Sequence, residues 1–189
     1  MSDSHLRTLH NLSTQGCWRN ASFLSKHQYP SSVWPWLDDR HSLTSQLIAL
    51  SNTSFEVKLL RQTTATPRFH EQDQLNQAHH CAATIREVAL CVDGVDRVLA
   101  RSVIPMTLMN AYGSGLTDLG TKPLGHLLFT DGKARMSRRQ FARFKLNEMD
   151  SIFARRTPYE YLGSTILVAE FFLPTLNDKL PLFQGETQA

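Results

Sequence analysis

Residues 85–104 place the tightest constraint on how this chain folds. Two strand-like apolar runs, 85–92 and 97–104, flank Asp93-Gly94. An aspartate–glycine pair between two such runs suits a two-residue hairpin turn, whose central residues both need positive φ. A hairpin commits its strands to antiparallel pairing, and Pro105 ends the second run.

The same region carries an expensive charge. Arg86 shares parity with Val88, Leu90 and Val92, so it points to the same face as three apolar side chains. Glu170 stands inside ILVAEFFLP (166–174), with Leu167, Val168 and Ala169 before it and Phe171, Phe172 and Leu173 after it. Long apolar runs mark strands buried on both faces. A charge on a buried face needs a partner, a hydrogen-bond network or a shifted pKa. Each charge has a plain reading: Arg86 as a strand-end side chain reaching solvent, Glu170 as an edge position facing water. The functional reading is a pocket for an anionic small molecule. The guanidinium would clamp a carboxylate with two donors. Glu170 would accept a hydrogen bond from a substrate hydroxyl, or take a proton.

Spacing supplies the other elements. Leu43, Leu47 and Leu50 recur at helical intervals behind Ser42, a suitable N-cap. Phe55, Val57 and Leu59 alternate with Glu56 and Lys58 as in a half-buried strand. Trp34 and Trp36 read as packing residues. The polar stretch 63–83 reads as a loop with a short helical piece, placed to run over the pocket. Residues 107–119 read as a helix interrupted near Gly113 and Gly115, and Pro123 suits the first position of a helix over 124–129. Asp131-Gly132 reads as a turn. Strands are predicted at 142–146 and at 152–162, where Pro158 favours an edge or a bulge. Gly163-Ser164 then turns the chain into a last strand, 165–173. That makes about six strands without regular strand–helix alternation, and predicts an α+β fold around an antiparallel sheet. Residues 1–30 are polar, with scattered Trp18 and Phe23, and are expected to pack on or flank a single domain over 31–189.

Composition narrows the function classes. At 189 residues, one domain with a real core is expected. A net charge of +3 is too small to argue for nucleic acid or membrane binding. The N-terminal MSDSHLRTLHN has no apolar signal core, and no window is apolar for the length of a membrane span. The three cysteines, Cys17, Cys81 and Cys91, form neither a metal-ligand spacing nor an even framework, so a reducing cytosol is the expected setting. His79-His80-Cys81, with His70 upstream, matches no usual zinc spacing, so no metal is expected. GxGxxG, Walker, GxSxG and HExxH motifs are missing, which leaves nucleotide cofactors, serine hydrolysis and zinc proteolysis without support. Ser137-Arg138-Arg139 and Arg155-Arg156 read as solvated basic surface, or as charges that steer an anion inward. Lys122-Pro123-Leu124-Gly125 reads as an ordinary helix start, or as an anion-attracting one beside Arg86.

Taken together, REVALCVDG (86–94), ARSVIP (100–105), LGTKPLGHLLFT (119–130), ARR (154–156) and AEFFLP (169–174) resemble the chorismate lyase family. The resemblance orders most of the chain between 86 and 174. HSLT at 41–44 fits more weakly, and residues 1–30 and 63–83 match poorly. It implies a sheet of about six antiparallel strands, helices packed on it and flaps over an internal pocket. It implies that Arg86 binds the ring carboxylate, that Leu124 contributes a backbone contact, and that Glu170 binds the ring hydroxyl. Leu43 matches a methionine that contacts the ligand in the family, and Ala100 stands where a glycine is usual; both are departures. The implied reaction converts chorismate to 4-hydroxybenzoate and pyruvate, the first committed step toward the ubiquinone ring. Aromatisation drives it, so no cofactor is expected. Glu170 acts there either as general base or as an orienting group. The expected protein is a cytoplasmic monomer that binds no nucleic acid and does not insert stably into membranes.

A second class stays open. The effector-binding domains of GntR-type transcription regulators share this fold, so a non-catalytic binder of aromatic acids is the alternative. The short polar N-terminal segment offers no second basic helix of the kind a winged helix-turn-helix needs. Only the enzyme would turn added chorismate into absorbing 4-hydroxybenzoate.

Overall fold

The structure, a computed structural model, describes residues 2–20, 29–76, 78–112, 120–130, 132–146 and 150–179. Helix α1 (Ser2–Thr14) leads to strand β1 (Arg19–Asn20), helices α2 (Trp34–Asp38) and α3 (Leu43–Leu50), and strand β2 (Phe55–Ala65). A single helical turn, α4 (Phe69–Gln72), precedes strands β3 (Ala83–Val92) and β4 (Val95–Pro105). Helices α5 (Met106–Tyr112) and α6 (Leu124–Thr130) follow. The chain then forms β5 (Arg135–Met136), β6 (Gln140–Lys145), β7 (Ser151–Tyr161), β8 (Ser164–Phe172) and a 3-10 segment, Pro174–Lys179.

The strands lie in the order β1-β6-β7-β8-β4-β3-β2, with β5 paired to β7. Every pairing is antiparallel, so the fold is α+β. The sheet has eight strands where spacing predicts about six, and the extra two are β1 and β5. Each is two residues long, too short to show a period.

The turns follow their residues. Asp93 and Gly94 take φ of 50° and 79° between the paired Val92 and Val95. The β7–β8 turn falls one residue earlier than Gly163-Ser164: Leu162 and Gly163 take φ of 50° and 79° between paired Tyr161 and Ser164. Pro158 sits in an interior strand rather than at the sheet edge. Its carbonyl accepts from the Ser137 N–H at 2.9 Å. The N side of a strand residue faces the same way as its carbonyl, so the missing donor falls between Tyr159, where β5 pairs, and Arg156, where β6 pairs.

Both faces of the sheet are covered. On one, α1 buries Leu9 and Leu12 against Ala89, Leu99, Ala154 and Phe171. On the other, α2 and α3 bury Leu37, Leu43 and Leu47 against Val57, Val88 and Phe141. There α5 and α6 add Leu108, Leu124 and Leu128 against Tyr159 and Ile166. All ten residues of β3 are buried, which explains an apolar run without alternation. The stretch 63–83 does not run over the second face. β2 takes it as far as Ala65, and Glu71 of α4 pairs with Arg101 at 2.7 Å on the face that α1 covers. His70 reaches the Ser13 carbonyl there at 2.8 Å. Of the helix expected over 107–119, residues 113–119, with Gly113 and Gly115, lie outside the described residues, as do Phe23 and Asp131.

Candidate active site

Strand register brings the expected site residues onto one face. Val88, Ala100, Glu170 and Arg155 align in a row across β3, β4, β8 and β7. Arg86, Ser102, Val168 and Thr157 form the next row on that face. Arg86 and Glu170 are thus one row and two strands apart, about 12 Å from backbone to backbone. Both border a single cavity of about 50 Å³. Val57, Val88, Leu90 and Leu128 give it mostly apolar walls. Leu43 and Leu124 border it from the starts of α3 and α6. Ser42 caps α3 as predicted, its Oγ accepting from the Ser45 N–H at 3.3 Å. The two helices meet over the cavity: a Cβ on Gly125 would lie 3.5 Å from Thr44 Oγ1.

Arg86 does not reach solvent; it is 2% exposed. Its Nη2 donates to the Gly120 and Lys122 carbonyls, each at 2.9 Å, and its Nε is buried with no partner among the described residues. Gly120 holds φ of 45°, a conformation glycine takes without strain. The Lys122-Pro123 segment therefore meets Arg86 through carbonyls that hold the guanidinium in place. Among the described residues no carboxylate pairs with it, and burial alone draws its pKa down.

Glu170 is not at an edge, because β8 lies between β7 and β4. Its Oε2 accepts from Nε of Arg155. Arg155 is 1% exposed. Burial opposes its charge, yet the Glu170 carboxylate keeps its pKa above the ordinary value. Its Nη1 donates to the Trp36 carbonyl at 2.6 Å and the Asp39 carbonyl at 2.8 Å. Arg139 reaches the same Asp39 carbonyl at 2.5 Å and the Leu37 carbonyl at 2.9 Å. Burial and the Arg155 charge draw its own pKa down. Tyr159, also on the cavity wall, is pushed up to about 12 by burial and by the Glu170 charge.

Arg139, Arg155 and Arg156 are therefore buried, not solvated surface. The reason is that β7 is an interior strand covered on both faces, so its two adjacent arginines each enter a core. Arg156 lies 4.8 Å over the Trp18 ring and bonds His70 Nδ1 at 2.8 Å on the α1 face; burial brings its pKa down to about 10. The signal for Arg155 and Tyr159 was legible as parity with Phe153 inside IFARRTPYEY. Among the described residues no cluster of three or more His, Cys, Asp or Glu forms a metal site. Among these residues no helix is long and apolar enough to cross a membrane either.

The family model described as chorismate lyase matches residues 12–181, and so spans cavity and cover alike. This chain belongs to the chorismate lyase family. A Marinobacter nauticus protein named probable chorismate pyruvate-lyase is 36% identical over 142 residues, covering 75% of this chain and 76% of that one. A Pseudomonas putida protein of the same name is 32% identical over 182 residues, covering 93% and 100%. By family, then, the chain is an enzyme, a lyase. Among solved structures, the effector domain of PhnF from Mycobacterium smegmatis superposes with a TM-score of 0.53 at 14% identity, over 71% of this chain and 90% of that one. That likeness concerns the fold alone: this chorismate lyase family member shares its sheet architecture with an effector domain.

Proposed function

We propose that the protein eliminates pyruvate from chorismate and leaves 4-hydroxybenzoate. The observation that carries this reading is Arg86, a buried guanidinium without a counter-charge among the described residues, bordering the same cavity as Glu170. A cation held that way calls for an anion. Arg86 clamps the ring carboxylate, and Glu170 accepts the hydrogen bond of the ring hydroxyl. Leu124, through its backbone, and Leu43 contact the ligand between them. The family and the names of the relatives support chorismate as the substrate.

Chorismate carries its enolpyruvyl ether on the carbon next to the hydroxyl-bearing one. Elimination breaks the bond between ring carbon and ether oxygen. The hydroxyl-bearing carbon loses its hydrogen, and the electrons of that C–H bond become the third ring double bond. The ether oxygen departs as the ketone of pyruvate, whose methyl forms when the enol methylene gains one hydrogen. In one route Glu170 takes the ring hydrogen as a base. In the other the methylene takes it directly while the C–O bond breaks, and Glu170 only orients. The second route suits the geometry better, because Glu170 Oε2 is already engaged by Arg155 and the carboxylate is held as an orienting acceptor. The remaining work is to hold the ether over the ring hydrogen in a site with little water. The α3–α6 cover must part to admit substrate, so product release limits turnover. The reading extends to a cytoplasmic monomer that supplies a precursor of the ubiquinone ring, with the family as its support.

Purified protein given chorismate should release pyruvate and 4-hydroxybenzoate in equal amounts, the latter followed by its ultraviolet absorbance. A folded protein that binds 4-hydroxybenzoate but forms neither product would instead be a sensor of aromatic acids.

A further inference from the structure

We infer that Arg155 is the positioning residue for Glu170, holding the carboxylate so that one oxygen faces the ligand. This rests on the lyase reading of the cavity. Arg155 and Glu170 are direct partners across β7 and β8, and Arg155 Nε donates to Glu170 Oε2. Glu170 Oε1 has no hydrogen-bond partner among the described residues, and Glu170 borders the cavity. Half of the carboxylate is committed and half is available.

The rest of the guanidinium determines what the pair is anchored to. Nη1 bonds the Trp36 and Asp39 carbonyls at the end of α2, 119 and 116 residues away in sequence. Arg139 braces the same stretch through the Leu37 and Asp39 carbonyls. Three residues beyond Asp39 the cap of α3 begins, and His41, Leu43 and Thr44 border the cavity. Arg155 therefore ties the orientation of Glu170 to the wall that faces it.

Arg101, on the opposite face, shows what a purely structural buried arginine looks like here. It holds Glu71 through both carboxylate oxygens at 2.7 and 3.0 Å, and Glu87 at 2.8 Å. Glu87 takes its remaining bond from Arg61 at 2.8 Å. That network is saturated. The Arg155–Glu170 pair is not, and its open oxygen belongs to a cavity rather than to packed side chains. Arg155 also borders the cavity, but its Nε and Nη1 donors are committed to Glu170 and to the Trp36 and Asp39 carbonyls, and the cycle with Glu170 measures how much of its effect passes through the carboxylate.

The test is a double-mutant cycle on chorismate turnover with Arg155→Gln, Glu170→Gln and the double variant. Arg155→Gln should lower kcat/KM by about 100-fold with Glu170 present, and by less than about 3-fold once Glu170→Gln is in place. Equal losses in both backgrounds would mean that Arg155 only clamps α2 to the sheet, and would overturn the inference. Arg155→Lys, which keeps the charge, carries the same cycle if Arg155→Gln does not fold. The cycle read as 4-hydroxybenzoate affinity covers a Glu170→Gln variant with too little turnover. A wild-type protein without turnover overturns the lyase reading; additive losses overturn only the role of Arg155.

Discussion

Arg155 and Arg156 are neighbours in the chain and end on opposite faces of the sheet, one against Glu170 at the cavity and the other against Trp18 and His70 under α1. The alternation of a strand separates them. One arginine borders the candidate site, and the other packs on Trp18 and bonds His70, which in turn reaches the Ser13 carbonyl of α1. A substitution at either position should therefore show a different phenotype.

Arg86→Ala should weaken 4-hydroxybenzoate binding by about 10- to 150-fold, the range for a charge-assisted hydrogen bond. Chorismate KM should rise with it. Isothermal titration with the product reads this without turnover. Unchanged affinity would remove Arg86 from the carboxylate site.

Chorismate carrying deuterium on the hydroxyl-bearing ring carbon separates the two elimination routes. The concerted route delivers that deuterium to the pyruvate methyl, giving singly deuterated pyruvate by mass spectrometry. Transfer through Glu170 would let it wash out into water. Under the concerted route Glu170→Gln also retains much of its kcat, since an amide oxygen still accepts from the hydroxyl, and its loss in kcat/KM falls on KM.

Tyr159 gives a pH signature of stability. Its value in the folded protein is pushed up to about 12 by burial and by Glu170, against 10 for the free phenol. The folded state therefore binds the phenolic proton more tightly than the unfolded chain does. Its contribution is complete below pH 10 and is lost as pH rises toward 12. The full span is about 3 kcal/mol. Urea unfolding of wild type and Tyr159→Phe between pH 8 and 11 should converge as pH rises, the wild type losing its advantage. Parallel curves would mean that Tyr159 titrates normally.

Asp93 does more than shape its turn. Its carboxylate accepts from the Asn52, Thr53 and Ser54 N–H groups at 3.1, 2.8 and 3.1 Å and from Thr53 Oγ1 at 2.8 Å. Asp93→Ala should cost about 2 kcal/mol and lower Tm by about 4–8 °C. Asp93→Asn, which keeps an acceptor oxygen and tolerates positive φ, should lose less. Thermal melts by circular dichroism check both, and turnover per folded molecule should stay unchanged.

The residue string by itself determined the β3–β4 hairpin, the six longer strands, the cap of α3, and the placing of two charges, Arg86 and Glu170, within apolar strands. These are local: a turn residue needs a given φ, and parity along a strand assigns a face whatever the partner. Tertiary structure decided which charges stay unpaired. Pairing of β7 with β8 sets Arg155 opposite Glu170, and the path of the chain from α2 to α3 brings the Trp36 and Asp39 carbonyls to the same guanidinium. The two carbonyl contacts join residues more than a hundred positions apart, and no local period encodes them. The same packing buried both members of the Arg155-Arg156 pair while Arg138 stayed exposed, because covering both faces of an interior strand is a property of the assembled sheet.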